Sequence, residues 1–374
     1  MNHYTKFLFI SIISVLNITG ITLQAQSDEN TPVRVAIAGI THGHSSWIFG
    51  RKNTTDIHVA GIYEPEAELV QVFSKRYNLG NELFYSDFDK MLDQVKPSAV
   101  LAFGSTYDHL SIVEACAPRG IHVMVEKPLA TTYDHAKQME ELAKLYGILL
   151  LTNYETSWYP TTEKSYQLLS DSSFVGPLKK VIFHTGHSGA RNTEGNKFFF
   201  RWLTDPVLNG GGALTDFGCY GANLMTYFMK DEEPLTVMSI TRQFKPEIYP
   251  EVDDEATIIV SYPNAQCIIQ ASWNWPFSRK DMEIYGQSGY IIAVNDTVMR
   301  LRNIETRIEQ TRKVTLNDIN VYDNPFSYFA DVIRGKIEVP EYGPYSLKNN
   351  IMVVRILDAA RESAKTGKVV YLQK

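Results

Sequence analysis

The sequence predicts two domains: an α/β domain with a doubly wound parallel sheet, and a second α+β domain with a mainly antiparallel, open-faced sheet. Three observations lead to this prediction. The chain has 374 residues, more than one hydrophobic core usually serves. Short apolar strands alternate with helical segments up to about Asn153, which is typical of βαβ units and a parallel sheet. Beyond that point, longer segments with alternating apolar residues indicate antiparallel strands.

The boundary between the predicted domains lies after Asn153, so that residues 32–153 form the first domain and residues 154–374 the second. Short apolar segments predict parallel strands at residues 33–38, 58–63, 99–103, 121–125 and 148–151. In the second domain, Pro263-Asn264 separates two strand-like segments as a hairpin turn. Apolar residues at helical spacing predict a helix over residues 347–365, which we expect to pack back towards the first domain.

The first 25 residues differ in character from the rest of the chain. Lys6 precedes an apolar run over residues 7–16, and small residues follow up to Ala25. This layout is typical of a secretory signal peptide that is cleaved after Ala25, and the run is shorter than a membrane span requires. We therefore expect an exported, periplasmic protein with residues 1–25 as its signal peptide. An uncleaved anchor is the alternative.

Charge and cysteine content argue against several classes of partner. The formal net charge is -6 and no run of lysine or arginine stands out, so we expect no nucleic-acid partner and no membrane contact beyond export. Cys116, Cys219 and Cys267 are widely and irregularly spaced, which fits neither a disulfide framework nor a zinc pattern. The aromatic content of 12% suits a site that stacks on sugar rings, but core packing explains aromatic residues equally well.

The loop after the first strand has the position, but only part of the sequence, of a dinucleotide-binding loop. In a Rossmann fold, a glycine-rich turn with the spacing G-x-G-x-x-G leads into a helix N-terminus that holds the pyrophosphate. Here the loop reads GITHGH from Gly39 onwards. The first glycine is present, whereas Thr41 and His44 occupy the second and third positions. The loop is a weak indication of a dinucleotide by itself, and we assign Gly39, Thr41, His42 and His44 to it.

Glu64 and the two histidines of this loop carry further expectations. Glu64 lies 25 residues after Gly39 at the end of the second strand. There a carboxylate accepts hydrogen bonds from the ribose hydroxyls and repels a 2′-phosphate, which favours NAD over NADP unless Glu64 is a plain surface residue. His42 and His44 could bind a metal, donate to phosphate in place of glycine amides, or be structural. No third ligand is identifiable from spacing, so no metal is assigned.

Three segments further along the chain carry recognisable motifs. Residues 104–109 read GSTYDH, residues 120–130 read GIHVMVEKPLA, and residues 210–220 read GGGALTDFGCY. Together they resemble the Gfo/Idh/MocA oxidoreductases, the family of glucose–fructose oxidoreductase and inositol dehydrogenase. The resemblance covers nearly all of the chain from Val33 onwards. It implies a Rossmann domain at residues 32–153 and a substrate and oligomerisation domain at residues 154–374.

The resemblance also implies a catalytic group. Lys127 would orient the substrate hydroxyl and lower the pKa of its neighbour. Most family members have a histidine four residues after the aspartate, where this chain has Tyr220. That matches the subgroup similar to glucose–fructose oxidoreductase and dihydrodiol dehydrogenase, in which a tyrosine is the proposed general acid/base. A phenol has a pKa of about 10 and needs a nearby ammonium to act near neutrality. Asp216 lies one helical turn before Tyr220 and shares its face.

Other residues take roles from the same resemblance or from their place in the chain. The cofactor set is completed by Ser105, His109, Glu126 and Asn153. The substrate set comprises His187, Arg201 and Trp202, of which the tryptophan would stack on a sugar face. Family members commonly pair through the open face of the second sheet, so we expect a homo-oligomer.

Three functions are compatible with these residues. The first is an NAD-dependent oxidoreductase acting on a secondary alcohol of a sugar, glycoside or polyol, with acid–base chemistry at Lys127 and Tyr220. The second is a non-redox lyase, hydratase or epimerase that acts on keto-sugars, with or without the assistance of a metal. It is suggested by the altered loop and by export, which separates the protein from cytosolic NAD. The third is a sugar-binding protein that has the fold without the chemistry.

Overall fold

The computed structural model describes residues 31–51, 55–171 and 174–372. The expected signal peptide, residues 1–25, lies outside the described residues. Among the residues that are described, no helix combines the length and the apolar character that crossing a bilayer needs. The described residues form two sheets, one in each predicted domain.

Six parallel strands form the first sheet. They are β1 (Val33–Ala38), β2 (Ile57–Tyr63), β3 (Phe84–Tyr85), β4 (Ala99–Ala102), β5 (His122–Glu126) and β6 (Leu150–Asn153). Their order is β3-β2-β1-β4-β5-β6, which confirms the doubly wound sheet. Because β1 pairs with both β2 and β4, the order reverses at β1. The carboxyl ends of the strands there form the crevice in which such sheets bind ligands.

Helices cover both faces of the parallel sheet. They are α1 (Ser45–Phe49), α2 (Ala67–Tyr77), α3 (Phe88–Val95), α4 (Asp108–Cys116) and α5 (Tyr133–Tyr146). On β1, Ala36 and Ala38 pack in the core with α3, α4 and α5, whereas Val35 and Ile37 pack in the core with α1 and α2. Burial on both faces explains why the strands are continuous apolar runs.

Nine strands form the second sheet. They are β7 (Leu178–Gly186), β8 (Thr236–Arg242), β9 (Glu255–Ser261), β10 (Gln266–Ser272), β11 (Arg279–Gly286), β12 (Gly289–Ala293), β13 (Val298–Asn303), β14 (Gln310–Lys313) and β15 (Val370–Tyr371). Their order is β14-β13-β12-β11-β7-β10-β9-β8-β15. Neighbouring strands are antiparallel except for β7 and β10, which confirms a mainly antiparallel sheet.

Helices pack on one face of the second sheet. The helices that follow the first domain are α6 (Pro160–Ser170), α7 (Lys197–Leu203), α8 (Ala213–Met229), α9 (Pro325–Ile333) and α10 (Leu347–Thr366). α8 packs against β10, and α10 packs against β8. α10 also packs on α5, where Asp358 accepts a hydrogen bond from the backbone N–H of Tyr133 at 2.7 Å. α8 and α10 therefore bring the second sheet against the first domain.

Candidate active site between the two domains

Lys127 lies at the carboxyl edge of the parallel sheet, directly after β5. Its side chain reaches α8 of the second domain, where Nζ donates to the Asp216 carboxylate and to the backbone oxygen of Asp216 at 3.0 Å. The Lys127–Pro128 peptide is cis. The side chains of the pair are only 6% and 7% exposed. Two residues 89 positions apart thus form one buried ion pair across the domain boundary.

The surroundings keep both members of this pair charged. Burial by itself would raise the pKa of Asp216, but the Lys127 ammonium outweighs burial and lowers this pKa to about 2. Burial likewise opposes the charge on Lys127, and the Asp216 carboxylate outweighs it and raises the lysine pKa. Asp216 also accepts a hydrogen bond from Trp273 Nε1 at 2.9 Å. An ammonium has three N–H donors, so one donor of Lys127 is left after its two contacts with Asp216.

The glycine run before α8 sets the position of Asp216. A Cβ on Gly212 would lie 1.8 Å from the backbone oxygen of Asp253. The Asp253 carboxylate accepts the backbone N–H groups of Gly212 and Leu214 at 3.1 and 2.7 Å. These contacts satisfy N–H groups that a helix start leaves without an intrahelical partner. α8 therefore begins hard against the β8–β9 connection, with Asp216 in its first turn.

Tyr220 lies next to the pair, but its pKa differs from the expectation. Lys127 Nζ lies over the tyrosine ring, 5.2 Å from the ring centroid, and Nζ of Lys280 lies 5.3 Å from the same centroid. Burial, followed by the carboxylate of Glu155, raises the phenol pKa well above its ordinary value. The expectation of a lowered pKa is wrong, because burial and the surrounding carboxylates outweigh the two nearby ammonium groups. Tyr220 is therefore a protonated phenol near neutral pH.

Three further residues, to which the sequence analysis assigned no role, complete the site: Glu155, Phe217 and Lys280. Lys280 on β11 forms an ion pair with Glu155, which follows β6. Phe217 on α8 has the Lys127 ammonium 5.8 Å from its ring centroid. Lys280 and Glu155 come from elements far apart in the chain and carry no local motif, so only the fold brings them together. Phe217 lies within the motif at residues 210–220, but nothing in that motif assigned it a role.

His187 lies on the same side of α8. Its ring meets Phe217 edge-on at 4.7 Å between centroids, and its Nδ1 accepts the backbone N–H of Gly189 at 2.8 Å. Burial is the main cause that lowers the pKa of His187. The Asp216 charge acts to raise this pKa, and the Lys127 charge acts to lower it. His187 is therefore a neutral ring whose other nitrogen, Nε2, carries the proton and can donate.

The dinucleotide loop keeps the one glycine that its shape requires. Gly39 has a φ of +76°, and a Cβ there would lie 2.9 Å from Cα of Gly104 in the loop after β4. Ser105 in that second loop donates to Asp108 at 2.7 Å. His109 Nδ1 lies 3.0 Å from the backbone oxygen of Leu129, so it ties α4 to the segment after Lys127. Ser105 and His109 thus shape the loops in this structure.

α7 covers the loop after β1 and the residues that follow β2. Glu64 is 3% exposed and its two carboxylate oxygens accept the backbone N–H groups of Ile40 and Glu66, each at 3.0 Å. Trp202 on α7 donates from Nε1 to Thr41 Oγ1 at 3.0 Å. Arg201 points to the surface and forms an ion pair with Glu66 at 2.8 Å. Arg201 and Trp202 therefore lie over the dinucleotide loop, and not beside Lys127.

The framework nevertheless fits a dinucleotide. Gly39 provides the close approach of backbone that such a loop needs. Glu64, Glu126 and Asn153 stand at the ends of β2, β5 and β6, where the ribose and nicotinamide halves of a dinucleotide would be held. Each carboxylate oxygen has a further lone pair beyond the one that the protein uses. Trp202 occupies the Thr41 hydroxyl, at the position where such a loop usually has its second glycine.

A compact group forms where the loop after β1 meets the end of β5. It consists of His42, His44 and Glu126. Nδ1 of His44 lies 3.0 Å from Glu126 Oε2, and the other carboxylate oxygen accepts from Asn153 Nδ2 at 2.6 Å. Burial lowers the pKa of His42 to about 3, with the His44 ring as the next cause. Burial opposes ionisation of Glu126, but the two histidines outweigh it and lower its pKa to about 2. Donor atoms of the three side chains lie within 4.8 Å of one another.

A cleft of about 860 Å³ opens beside this group. Trp47, whose ring stacks on His44 with 3.6 Å between centroids, and Trp158, which donates to Asn153 at 2.9 Å, form two of its walls. Polar side chains of Glu155, Asp296 and other residues complete the lining. Aromatic faces next to carboxylates are a composition that suits a polar ring-shaped molecule.

Comparison with known proteins agrees with the fold and the motifs. Residues 33–154 match the model of an oxidoreductase family with an NAD-binding Rossmann fold, and residues 168–292 match the GFO/IDH/MocA C-terminal domain. The chain is 20% identical to 1,5-anhydro-D-fructose reductase of Ensifer adhaerens, over 83% of this chain and 91% of the reductase. It is 23% identical to trans-1,2-dihydrobenzene-1,2-diol dehydrogenase of Xenopus laevis, over 82% and 90% of the two chains.

A solved structure shares the whole architecture. Aldose-aldose oxidoreductase from Caulobacter crescentus, in a complex with glycerol, superposes with a TM-score of 0.74 at 20% sequence identity. The match covers 91% of this chain and all of the other. With both domain models matched in order along the chain, the predicted family is confirmed. This chain belongs to the Gfo/Idh/MocA family of oxidoreductases, whose first domain is an NAD-binding Rossmann fold.

Proposed function

We propose that the protein is an NAD(P)-dependent oxidoreductase that acts on a secondary alcohol of a sugar, glycoside or polyol. The observation that carries this proposal is the buried Lys127–Asp216 pair at the carboxyl edge of the parallel sheet. Burial of a charged lysine costs free energy, which the paired carboxylate offsets. The relatives named above, a reductase and two oxidoreductases, are consistent with it.

Lys127 is the group that holds the reacting oxygen. With two N–H donors on Asp216, the third donates to the substrate hydroxyl and stabilises negative charge that develops on it. Asp216 keeps the ammonium charged and fixes its direction. Tyr220, as a protonated phenol, serves as a donor or a packing surface and not as a base from its resting state. The proton of the substrate hydroxyl therefore passes to water in the site as the hydride leaves the carbon. A nicotinamide cofactor would supply the hydride acceptor, held by Glu64, Glu126 and Asn153.

Glu64 supports a preference for NAD over NADP. Its carboxylate is fixed at the end of β2 by two backbone N–H donors, and a 2′-phosphate in the same place would meet negative charge. Binding of the two cofactors to the purified protein tests this preference. We expect NAD to bind at least 10-fold more tightly; equal affinities would contradict the assignment.

A panel of sugars and polyols with each cofactor tests the activity itself. We expect formation of reduced cofactor, followed at 340 nm, with at least one aldose, glycoside or inositol. Asp216→Asn should lose this activity, whereas Asp134→Asn, on the first turn of α5, should keep it. A protein that neither binds nicotinamide cofactors nor changes any sugar on the panel would refute the proposal.

A second candidate is non-redox proton transfer on keto-sugars, such as elimination, hydration or epimerisation. The contact of Trp202 with Thr41 and the pairing of His44 with Glu126 favour it, because both occupy polar groups of the dinucleotide loop. Protein freed of nucleotide would then convert a 3-keto-glycoside without added cofactor and lose this activity with a chelator. Dependence on added NAD would exclude the candidate.

Export belongs to the proposal as well. A protein secreted from its own host should begin near Gln26 after removal of residues 1–25, and mass spectrometry of the mature N-terminus measures this. A mature chain that still carries Met1 and is recovered from the cytosol would contradict export.

A further inference from the structure

His42, His44 and Glu126 have the composition and the spacing of a metal site. Their donor atoms all lie within 4.8 Å of one another. His44 Nδ1 and Glu126 Oε2 are 3.0 Å apart. Two ligands at bond lengths near 2.1 Å from one cation are separated by about 3.0–3.4 Å, so this pair already has the separation of neighbouring ligands. The sequence offers His42 and His44 together; the fold adds Glu126 from β5, 82 residues after His44.

The group is buried, unlike the clusters of exposed carboxylates that are common on protein surfaces. His42 and Glu126 are 5% and 2% exposed, and 17% of the His44 side chain is exposed. Trp47, a wall of the cleft, stacks on the His44 ring and so lies between that ring and the cleft. Two histidines and a carboxylate leave coordination positions open on a metal, as in catalytic zinc and non-haem iron sites. The set favours a divalent first-row transition metal over magnesium or calcium, which prefer oxygen ligands.

Contacts outside the three residues hold them as second-layer groups hold metal ligands. Asn153 donates to the free oxygen of Glu126 at 2.6 Å and accepts from Trp158 Nε1 at 2.9 Å. Trp47 stacks on the ring of His44. Two contacts oppose coordination: Nδ1 of His42 accepts the backbone N–H of His44 at 3.1 Å, and the hydrogen bond between His44 Nδ1 and Glu126 Oε2 has to lose its proton before both atoms can bind a cation. A transition metal bound by three side chains offsets the loss of these two hydrogen bonds, with release of the proton.

We propose that His42, His44 and Glu126 bind one divalent transition-metal ion next to the cleft wall that Trp47 forms. The ion would sit where the loop of other dinucleotide folds has its third glycine, and an open position on it would face a bound polyol or keto-sugar oxygen. The site goes beyond the oxidoreductase function. Its test uses neither sugar nor nicotinamide, so its outcome is independent of that proposal.

Cobalt is the probe, because Co²⁺ reports its ligands through visible absorption bands. The full chain is dialysed against EDTA, freed of it, and titrated with CoCl₂. We expect one equivalent to bind with new bands between about 500 and 650 nm, as for sites of nitrogen and oxygen ligands, and ZnCl₂ to displace it. Absence of a one-equivalent end point in the folded wild-type protein would overturn the site.

Variants identify the ligands. His44→Ala and Glu126→Gln should each weaken cobalt binding at least 100-fold. The matched controls His58→Ala on β2 and Glu114→Gln on α4, both exposed, should leave it unchanged. Near-UV circular dichroism shows whether each variant is folded. If His44→Ala unfolds, the cobalt affinity of Glu126→Gln tests the site, because this variant keeps the size of the side chain. Unchanged cobalt affinity in a folded ligand variant would overturn the assignment.

Discussion

A single buried ion pair is the most consequential feature at the scale of residues. Removing one partner of such a pair leaves an uncompensated charge and typically costs about 3–5 kcal/mol of stability. Neither charge of Lys127 and Asp216 contributes to an apolar core. A role in the reaction therefore explains the presence of this buried pair better than a role in stabilising the fold. The motifs predicted both residues. They did not predict Lys280 or Trp273, because these approach the pair only through the pairing of distant strands.

The first prediction concerns Lys127→Met, which keeps the length of the side chain and removes its donors. We expect kcat/KM on the best sugar of the panel to fall by about 10²–10⁴-fold, the range for loss of one positioned acid, base or oxyanion donor. Tyr220→Phe should cost less than about 10-fold, because its phenol is not the base. Lys137→Met on α5 is the control. A larger loss for Tyr220→Phe than for Lys127→Met would contradict the assigned roles.

The second prediction concerns acid stability. Because the folded pKa of Asp216 is lowered to about 2, its contribution is fully present above the ordinary pKa of 3.8 and is lost as pH falls through about 2. The contribution is about 2 kcal/mol. Urea unfolding should show the stability gap between wild type and Asp216→Asn narrowing from pH 5 to pH 2. A gap that stays constant over this range would mean that Asp216 is not an ionised partner.

At the scale of elements, sequence patterns located five of the six strands described in the first domain to within about two residues, and missed only the two-residue strand β3. β6 ends at Asn153 rather than at residue 151, because pairing with β5 extends to Glu126. The cover that α7 forms over the dinucleotide loop was not predictable. It depends on Trp202 meeting Thr41 from 161 residues away, and the family resemblance suggested a substrate contact for Trp202 instead.

The third prediction tests this cover. Trp202→Ala removes the indole from Thr41, so we expect NAD affinity to increase about 3- to 10-fold, the equivalent of one hydrogen bond of the free protein. Calorimetric titration measures the affinity, and Trp275→Ala, on the second domain, is the control. Weaker binding by a folded Trp202→Ala variant would show that the tryptophan holds the cofactor instead of covering its loop.

The fourth prediction concerns the start of α8. At Gly212 a methyl group would overlap the backbone of Asp253, and backbone cannot move as easily as a side chain. Gly212→Ala should therefore lower the free energy of unfolding by more than about 3 kcal/mol, within the range of severe overpacking. Gly195→Ala, with nothing within 4 Å of the added atom, should change it by less than about 1 kcal/mol. Equal stability of the two variants would contradict this packing.

At the scale of the whole molecule, one face of the second sheet carries no helix among the residues that the structure describes. Ile182, Ile268 and Ile259 lie side by side on the adjacent strands β7, β10 and β9, and each is only partly buried in the single chain. Met238 pairs with Ile259 at the next strand and is 39% exposed. An apolar row across four strands is typical of an interaction surface.

The fifth prediction follows from this row. We expect the protein to be a homo-oligomer through the open face, and Ile268→Glu to dissociate it, because a charge would be buried in the interface without a partner. Light scattering after size exclusion measures the mass. Leu145→Glu, at an exposed position on α5, should leave it unchanged. A monomeric wild-type protein at micromolar concentration would contradict the interface.

The fate of one hydrogen atom tests the assigned chemistry most directly. A sugar from the panel, deuterated at the carbon that is oxidised, is incubated with stoichiometric protein and NAD⁺, and the nicotinamide is analysed by mass spectrometry. Oxidation at the Lys127–Asp216 site predicts one deuterium on the reduced nicotinamide, and none with Lys127→Met. The account would be contradicted if the sugar were converted while its deuterium appeared in water and the NAD⁺ were recovered unlabelled. That result would show proton transfer without oxidation.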